Sequence, residues 1–284
     1  MLRVKTELEA EGHKVSLRKV AKWLGVPWST VHYKPRKRKP VAVDRKVEQA
    51  IYELIQRYPR YGYRRITVML RRRMGLIVNK KKVQRIMQRN GWTVAKRPRG
   101  MRPRVQRKAS VAEAPNVRWA TDMTHFFCSD SGWCHVVAVI DCWNREIVGY
   151  RISRRQDARV AEGALEDALI RRFGRNTSAS RGLKLRSDNG LIFTSKRYLK
   201  LVRAYGLCPE YITPYSPEQN GMIERFMRTL KEECIWLNMF SSFSEAKEII
   251  ETWIEEYNTE RPHQELGYLS PVEYRCGLAA QVAR

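Results

Sequence analysis

Residues 117–152 read V-R-W-A-T-D-M-T-H-F-F-C-S-D-S-G-W-C-H-V-V-A-V-I-D-C-W-N-R-E-I-V-G-Y-R-I. Turn signals at Asp130–Gly132 and Trp143–Arg145 separate three runs rich in β-branched and aromatic residues. The stretch therefore predicts an antiparallel meander of strands Val117–Cys128, Cys134–Cys142 and Glu146–Ile152. Downstream the pattern alternates: a helix around Val160–Phe173, a strand Leu183–Arg186, a helix Ser195–Tyr205 and a strand Pro209–Ile212. The Pro-punctuated loop T213-P-Y-S-P-E-Q-N-G then leads into a further helix. A meander followed by βαβ units makes an α/β fold, a mixed five-stranded sheet with flanking helices.

Three acids sit at informative places in that frame. Asp122 lies within the first strand, Asp188 ends the fourth in L-K-L-R-S-D-N-G, and Glu224 opens the helix N-G-M-I-E-R-F-M-R-T-L-K, with 35 residues between the last two. Any one alone reads as a turn former or an answer to a helix dipole. Together, on separate elements, they suit hard divalent cations, which take oxygen ligands and leave positions open for phosphate. Along the last helix Ile223, Phe226, Met227, Leu230 and Cys234 gather within about 50° of one line, a buried stripe. Glu224, Arg228 and Lys231 form a second stripe about 100° away. A solvated Glu224–Arg228 pair is the plainer alternative. Asp130 reads as a hairpin turn residue, and His125, three residues past Asp122, faces the other side of the strand, toward packing or DNA.

The chain has 284 residues, 43% hydrophobic, and a formal net charge of +26. Residues 1–110 hold 32 Lys and Arg against 6 acids, while residues 111–284 hold 23 of each. Such a basic block argues for a polyanion bound through its phosphates. No apolar stretch approaches the ~18–20 residues of a membrane span, and the N-terminus lacks a signal-peptide core, so an intracellular, membrane-free protein is expected. All six cysteines follow residue 127, several in apolar runs, and are expected as buried reduced thiols.

Two helix-turn-helix units are legible in the basic part. In S16-L-R-K-V-A-K-W-L-G-V-P-W-S-T-V-H-Y, Ser16 caps a helix, Gly25 permits the turn and Val31 packs back. Trp28, Ser29, Thr30 and His32 then lie on or near the recognition helix; a helical hairpin without DNA contact is the alternative. In the second unit helices begin near Val47 and Tyr61, and Asn79 caps K80-K-K-V-Q-R-I-M-Q-R-N, closed by Gly91. Lys80, Lys81, Arg85 and Arg89 stay outside. The expected division is 1–34 helix-turn-helix, 35–43 basic linker, 44–94 second helix-turn-helix-like domain, 95–115 basic linker, 116–240 catalytic core, and 241–284 a C-terminal helix and tail packing on it. The tail opens with a Ser242–Glu245 capping box; R261-P-H-Q-E-L-G-Y-L-S-P-V-E-Y reads as a loop, in which Arg261 and His263 serve DNA contact or structure.

The pieces W119-A-T-D, V139-I-D, R186-S-D-N-G, S216-P-E-Q-N-G-M-I-E-R-F and Y257-N-T-E-R-P-H-Q-E-L-G-Y-L-S-P run in order over about residues 115–275. This series resembles the DDE transposase and retroviral-integrase superfamily, and more closely the second-frame (OrfB-type) transposase of the insertion sequence three family. The Y61-G-Y-R-R-I run, with Arg64 and Arg65, also matches the segment that precedes that family's catalytic domain.

The resemblance implies a ribonuclease-H-like core in which Asp122, Asp188 and Glu224 hold two Mg²⁺ ions, with Mn²⁺ able to substitute. Asp141 ends its strand as a rival acid that could point toward the same cluster, but it falls outside the family's triad and is expected to be structural or to support the cluster from behind. Asn189 and Gly190 would shape a turn, and Asn189, Gln219, Asn220, Arg228 and Lys231 would line the DNA path. The implied reaction frees a 3′-OH at the element end and transfers it to target DNA. The implied partners are double-stranded DNA, further copies of the chain and an upstream-frame protein or fusion, in a bacterial cytoplasm at the nucleoid. No heptad run for a zipper is present, and the absence of cysteine from the first 110 residues excludes a His₂Cys₂ zinc module. A DNA-binding regulator with an inactive core and a nuclease of RNA–DNA hybrids are the other two readings.

Overall fold

β1 (Arg118–Cys128) and β2 (Gly132–Asp141) pair antiparallel, with Asp122 opposite Ala138. β3 (Ile147–Ser153) continues the meander on β2. After α7 (Ala158–Phe173), β4 (Lys184–Ser187) returns parallel to β1; after α8 (Lys196–Ala204), β5 (Cys208–Tyr211) adds parallel to β4. The order β3-β2-β1-β4-β5 is the mixed five-stranded sheet that residues 117–152 and the βαβ pattern predict. This computed structural model describes residues 1–34, 44–94, 112–174, 180–213 and 217–282. The segments 35–43 and most of 95–115, read as basic linkers, lie outside the described residues.

Strand alternation divides the core into two layers. Even-numbered residues, Ala120, Phe126, Val136, Ala138 and Ile140, meet α9 (Gly221–Glu233) and α10 (Phe243–Thr259) through Ile223, Phe226, Leu230, Ile250 and Ile254. Odd-numbered Trp119, Val137 and Val139 meet α7 and α8 through Ala164, Leu165, Ala168, Leu169 and Val202. Gly149 on β3 lets α7 approach: a Cβ there would lie 2.4 Å from the Ala164 carbonyl oxygen. The buried stripe expected on α9 is the observed one.

The C-terminal segment departs from the reading. Beyond Arg261 the chain forms a one-turn 3₁₀ helix, Gln264–Leu266, and then α11 (Pro271–Val282), where a loop was expected. The missed signal is a capping box. The Glu273 amide donates to Ser270 Oγ at 3.3 Å, and the Ser270 amide donates to the Glu273 carboxylate at 2.7 Å. Cys208 and Cys276 are exposed, against the expectation of buried thiols, whereas Cys128, Cys134, Cys142 and Cys234 are buried; all six are free. Among the described residues no helix is long and apolar enough to cross a membrane.

The chain divides into two compact units, Met1–Asp44 and Arg45–Arg284. In the first, α2 (Leu17–Trp23) is capped by Ser16, whose Oγ accepts the Lys19 amide, and Gly25 adopts φ +65° at the turn. A further helix, α1 (Leu2–Ala10), precedes it unannounced by the sequence reading. The expected recognition helix is one turn, α3 (Trp28–Val31), so His32 lies just past it. Only Val20 and Ala21 are buried among this unit's described residues.

In the second unit α4 (Arg45–Arg57), α5 (Tyr63–Met74) and α6 (Lys80–Arg89) pack Ile51, Leu54, Ile66, Leu70, Val83 and Met87 together. Their arginines reach the acids of the sheet domain. Arg57 pairs with Glu256 at 2.6 Å, Arg72 with Glu273 at 3.0 Å, and Arg73 with Glu260. The deepest contact lies at the end of α9. There Arg261 donates to both Glu233 oxygens at 2.7 Å, and Arg65 adds a bond at 3.2 Å. Burial works against the Arg261 charge, but the Glu233 carboxylate outweighs it and holds the guanidinium pKa above its ordinary value. Burial and Arg261, Arg65 and Arg145 push His263 down to about 2, so it stays neutral. Of the two roles open to Arg261 and His263, both buried, the structure supports the structural one. Glu233→Ala would strand the Arg261 charge and should lower the unfolding free energy by about 3–5 kcal/mol in urea titration. A loss below about 1 kcal/mol, as at a surface pair, would contradict this account.

Candidate active site

Asp122 is half-buried on the even face of β1, the α9 side, two residues beyond Ala120. Because Ala120 pairs with Arg186 of parallel β4, Asp188, two residues past Arg186, comes beside it at roughly the 4.8 Å strand spacing. The Gly190 amide donates to Asp188 Oδ1 at 3.0 Å, and Asn189 Nδ2 donates to the Ile212 carbonyl at 3.0 Å, tying the turn to the end of β5. A Cβ at Gly190 would stand 2.9 Å from Asp188 Oδ1, so a side chain here would push the Asp188 carboxylate from its place.

Glu224 occupies the first turn of α9. Asn220, just before that helix, is buried and donates to the Thr121 carbonyl at 3.4 Å, the peptide that leads into Asp122. The start of the Glu224 helix is thus tied to the strand of Asp122. Asn220 Oδ1 is itself buried without a hydrogen-bond partner.

These placements register in the electrostatics. Asp122 is pushed up to about 6, first by burial and then by the charges of Asp188 and Glu224; the Met123 amide, donating at 2.7 Å, and Lys231 oppose the shift. Asp122 therefore senses the charges of the other two acids. Among the described residues, however, no three acid, His or Cys side chains stand close enough together to hold a metal ion. Asp141 is buried at the end of β2, where it accepts the Asn116 and Trp143 amides at 2.9 Å, a structural role as expected. Asp130, in the hairpin turn, accepts the Phe243 amide at 3.2 Å and so ties that turn to the start of α10.

The residues read as DNA-facing fall into three groups. Arg64, Lys80, Lys81 and Arg85 are exposed, as are Trp28, Ser29, Thr30 and His32, with the Trp28 and His32 rings edge-on at 4.4 Å. Arg65 turns inward to Glu233 and Asn220 is buried against β1; neither offers the free surface expected, because each satisfies a buried partner. The third group borders the acids. Gln219 Oε1 accepts the Thr213 amide at 2.9 Å, and its carbonyl accepts from Arg186 at 2.7 Å, closing the loop ahead of α9. Arg228 pairs with Glu232 at 3.0 Å. Lys231 is half-buried, with its charge reaching Asp122. Sequence reasoning missed the brace in which Arg118 and Arg186 both donate to Glu210 at 2.9 and 3.0 Å across three neighbouring strands. Charged residues at paired strand positions were the available signal.

Two models described as integrase core domain match residues 112–217 and 205–271, and one described as HTH-like domain matches 42–100. The chain is 33% identical over 226 residues to the putative transposase InsK for insertion sequence element IS150 of Escherichia coli K12, covering 76% of this chain and 77% of that protein. It is 31% identical over 238 residues to the E. coli transposase InsD for insertion element IS2, covering 81% and 78%. Among solved structures, the catalytic core domain of BIV integrase matches 60% of this chain and 99% of its own length, with 20% identity and a TM-score of 0.44. An integrase core over residues 112–271, an HTH-like domain before it and transposases matched over three quarters of their length place this chain in the DDE transposase and integrase superfamily, as a member of the insertion sequence three family.

Proposed function

We propose that the chain binds the ends of its insertion element as double-stranded DNA, cuts them by hydrolysis and transfers the freed 3′-OH to target DNA, with Asp122, Asp188 and Glu224 as its metal-holding acids. The observation that supports this most directly is the placement of Asp122 and Asp188 on neighbouring parallel strands under the helix of Glu224, close enough to raise the Asp122 pKa. The donors are hard oxygens, which suits Mg²⁺, two ions to a site, with Mn²⁺ in its place. When bound, the ions would activate the attacking oxygen and stabilise the leaving one. The protein's own part is positional. The Asn189–Gly190 turn holds Asp188, Asn220 fixes the start of the Glu224 helix, and Lys231 lies where a phosphate would approach. In the transfer step the 3′ oxygen bonds to a target phosphorus as that phosphorus loses its bond to the target's own 3′ oxygen.

Recognition of the element ends falls to the exposed basic face of α6 and to α3 with its flanks. The working form is an oligomer of this chain on DNA, with an upstream-frame protein or fusion as a further component, at the bacterial nucleoid. Replacing Lys80, Lys81 and Arg85 with Gln should weaken DNA binding and flatten its log–log salt slope by about 0.9 for each phosphate no longer neutralised. An unchanged slope would remove this face from the interface.

Glu224→Gln should retain end binding while strand transfer of labelled element ends falls by roughly 10³-fold or more, as when one member of a jointly acting set is removed. Wild-type binding without joined products would instead fit a regulator. A pH dependence also follows. The raised Asp122 pKa favours its protonated form: this contribution to metal-free stability is complete below about 4 and is lost as pH rises through about 6. Cations need the ionised carboxylate, so the rise in melting temperature on adding Mg²⁺ should be larger at about pH 7.5 than at about pH 5. Asp122→Asn should abolish the difference; a wild-type shift equal at both pH values would refute it.

A further inference from the structure

Arg145 stands in the turn between β2 and β3 with φ +65°, a conformation that glycine takes freely and other residues seldom adopt. The turn around it is fixed. Its amide donates to the Asp141 carbonyl at 2.8 Å, and the buried Asn144 side chain donates to Glu146 at 2.9 Å and to the Pro271 carbonyl at 3.2 Å. A glycine would serve this turn as well, so the reason for an arginine lies in what its side chain reaches. It joins Arg65 from α5, Arg225 from α9 and Arg261 from the loop after α10 in lining an open pocket of about 550 Å³.

Four guanidiniums around one pocket repel one another unless anions answer them. Glu233 answers two, accepting from Arg261 and from Arg65. Glu265, exposed, is the one acid among the described residues of the lining. Among the described residues neither Arg145 nor Arg225 has a carboxylate within ion-pair distance. The excess registers on His263, which burial and then the charges of Arg261, Arg65 and Arg145 keep neutral. Guanidinium forks suit carboxylate and phosphate alike. Here they arrive from four separate elements, which favours an anion with oxygens on several sides, a phosphate, over a flat carboxylate. The pocket is distinct from the candidate active site. Arg225 and Thr229 in its wall lie about 100° and 140° around α9 from Glu224. It is instead a seam, because Arg65 belongs to the HTH-like domain and the other three arginines to the integrase core. We infer that this pocket holds one backbone phosphate of bound DNA where the HTH-like domain meets the core. The inference rests on the transposase reading and adds an anchor apart from both the acids and the face of α6.

The test measures binding of the full chain to labelled element-end duplexes by fluorescence anisotropy. Each duplex carries one methylphosphonate, which removes the charge of a single phosphate, at successive positions. Wild type is compared with the Arg145→Gly/Arg225→Gln variant. Glycine suits φ +65° and Arg225 is exposed, so the melting temperature should not fall. Should it fall, Arg225→Gln alone repeats the scan. On the unmodified duplex the variant should bind about tenfold or more weaker, the scale of a hydrogen bond to a charged group. Its log–log salt slope should flatten by about 0.9, the share of one phosphate. At one position the methylphosphonate should weaken wild type and leave the variant unchanged. Equal sensitivity of the two proteins at every position would overturn the inference. With such equal sensitivity, inorganic phosphate that raises the melting temperature of wild type alone, against chloride at matched ionic strength, would reassign the pocket to free phosphate. A changed sedimentation mass beside matching scans would make it an interface between copies and overturn the inference too. Failure of the underlying reading looks different. Wild type that binds no duplex and joins no strands sinks the function itself, whereas wild type that joins strands while the two scans agree sinks only the pocket.

Discussion

The buried fork between Arg261 and Glu233 joins three parts of the chain that are distant in sequence. Glu233 is the last residue of α9, where an acid opposes the helix dipole. It is tolerable there because Arg261 grips both its oxygens and Arg65 adds a third bond from α5. A buried ion pair is weak support for stability when weighed against apolar packing, but removing one partner is severe. The pair therefore acts as a constraint on position. α9 is held at its far end by this fork, at its near end by Asn220 on the Thr121 carbonyl, and along its length by Ile223, Phe226 and Leu230. Glu224 inherits its place from all three.

The same contacts change how the charge of the chain is understood. The excess of +26 lies wholly in the first 110 residues, and a linear reading assigns it to DNA. In the fold Arg57, Arg65, Arg72 and Arg73 turn toward Glu256, Glu233, Glu273 and Glu260 of the sheet domain. The even balance of residues 111–284 thus conceals an acidic face that meets the basic helices. The cations left outward are fewer and more localised, with α6 carrying Lys80, Lys81 and Arg85 in exposed positions.

What is legible in the sequence is what local pattern controls. Alternation from Arg118 to Asp141 identifies the strands and their two faces, the Asp130 turn sets their register, and the spacing of Ile223, Phe226 and Leu230 gives the buried side of α9. The meeting of Asp122 and Asp188 is what the family resemblance implies, and the parallel pairing of β4 with the first residues of β1 is consistent with it. What is not legible depends on partners far along the chain. Nothing near Arg65 reveals that Glu233, 168 residues away, will claim it. The polar neighbours of Asn220 suggest a residue lining a surface, yet the fold closes β1 over it. α11 escapes for another reason: its S-P-V-E start is present, but the proline suggests a loop, although proline suits a first helical turn.

The position of Asp122 within β1 has a genetic consequence. It lies inside an eleven-residue strand whose faces alternate with period two. Loss of a single codon between Trp119 and Asp122 would carry the acid to the face of α7 and α8, and move the alternate core residues with it. Codon changes in the hairpin turn leave that parity intact. Viable length variation in this gene should therefore accumulate at the turns, with β1 as a stretch where substitutions are admissible and single-codon indels are not.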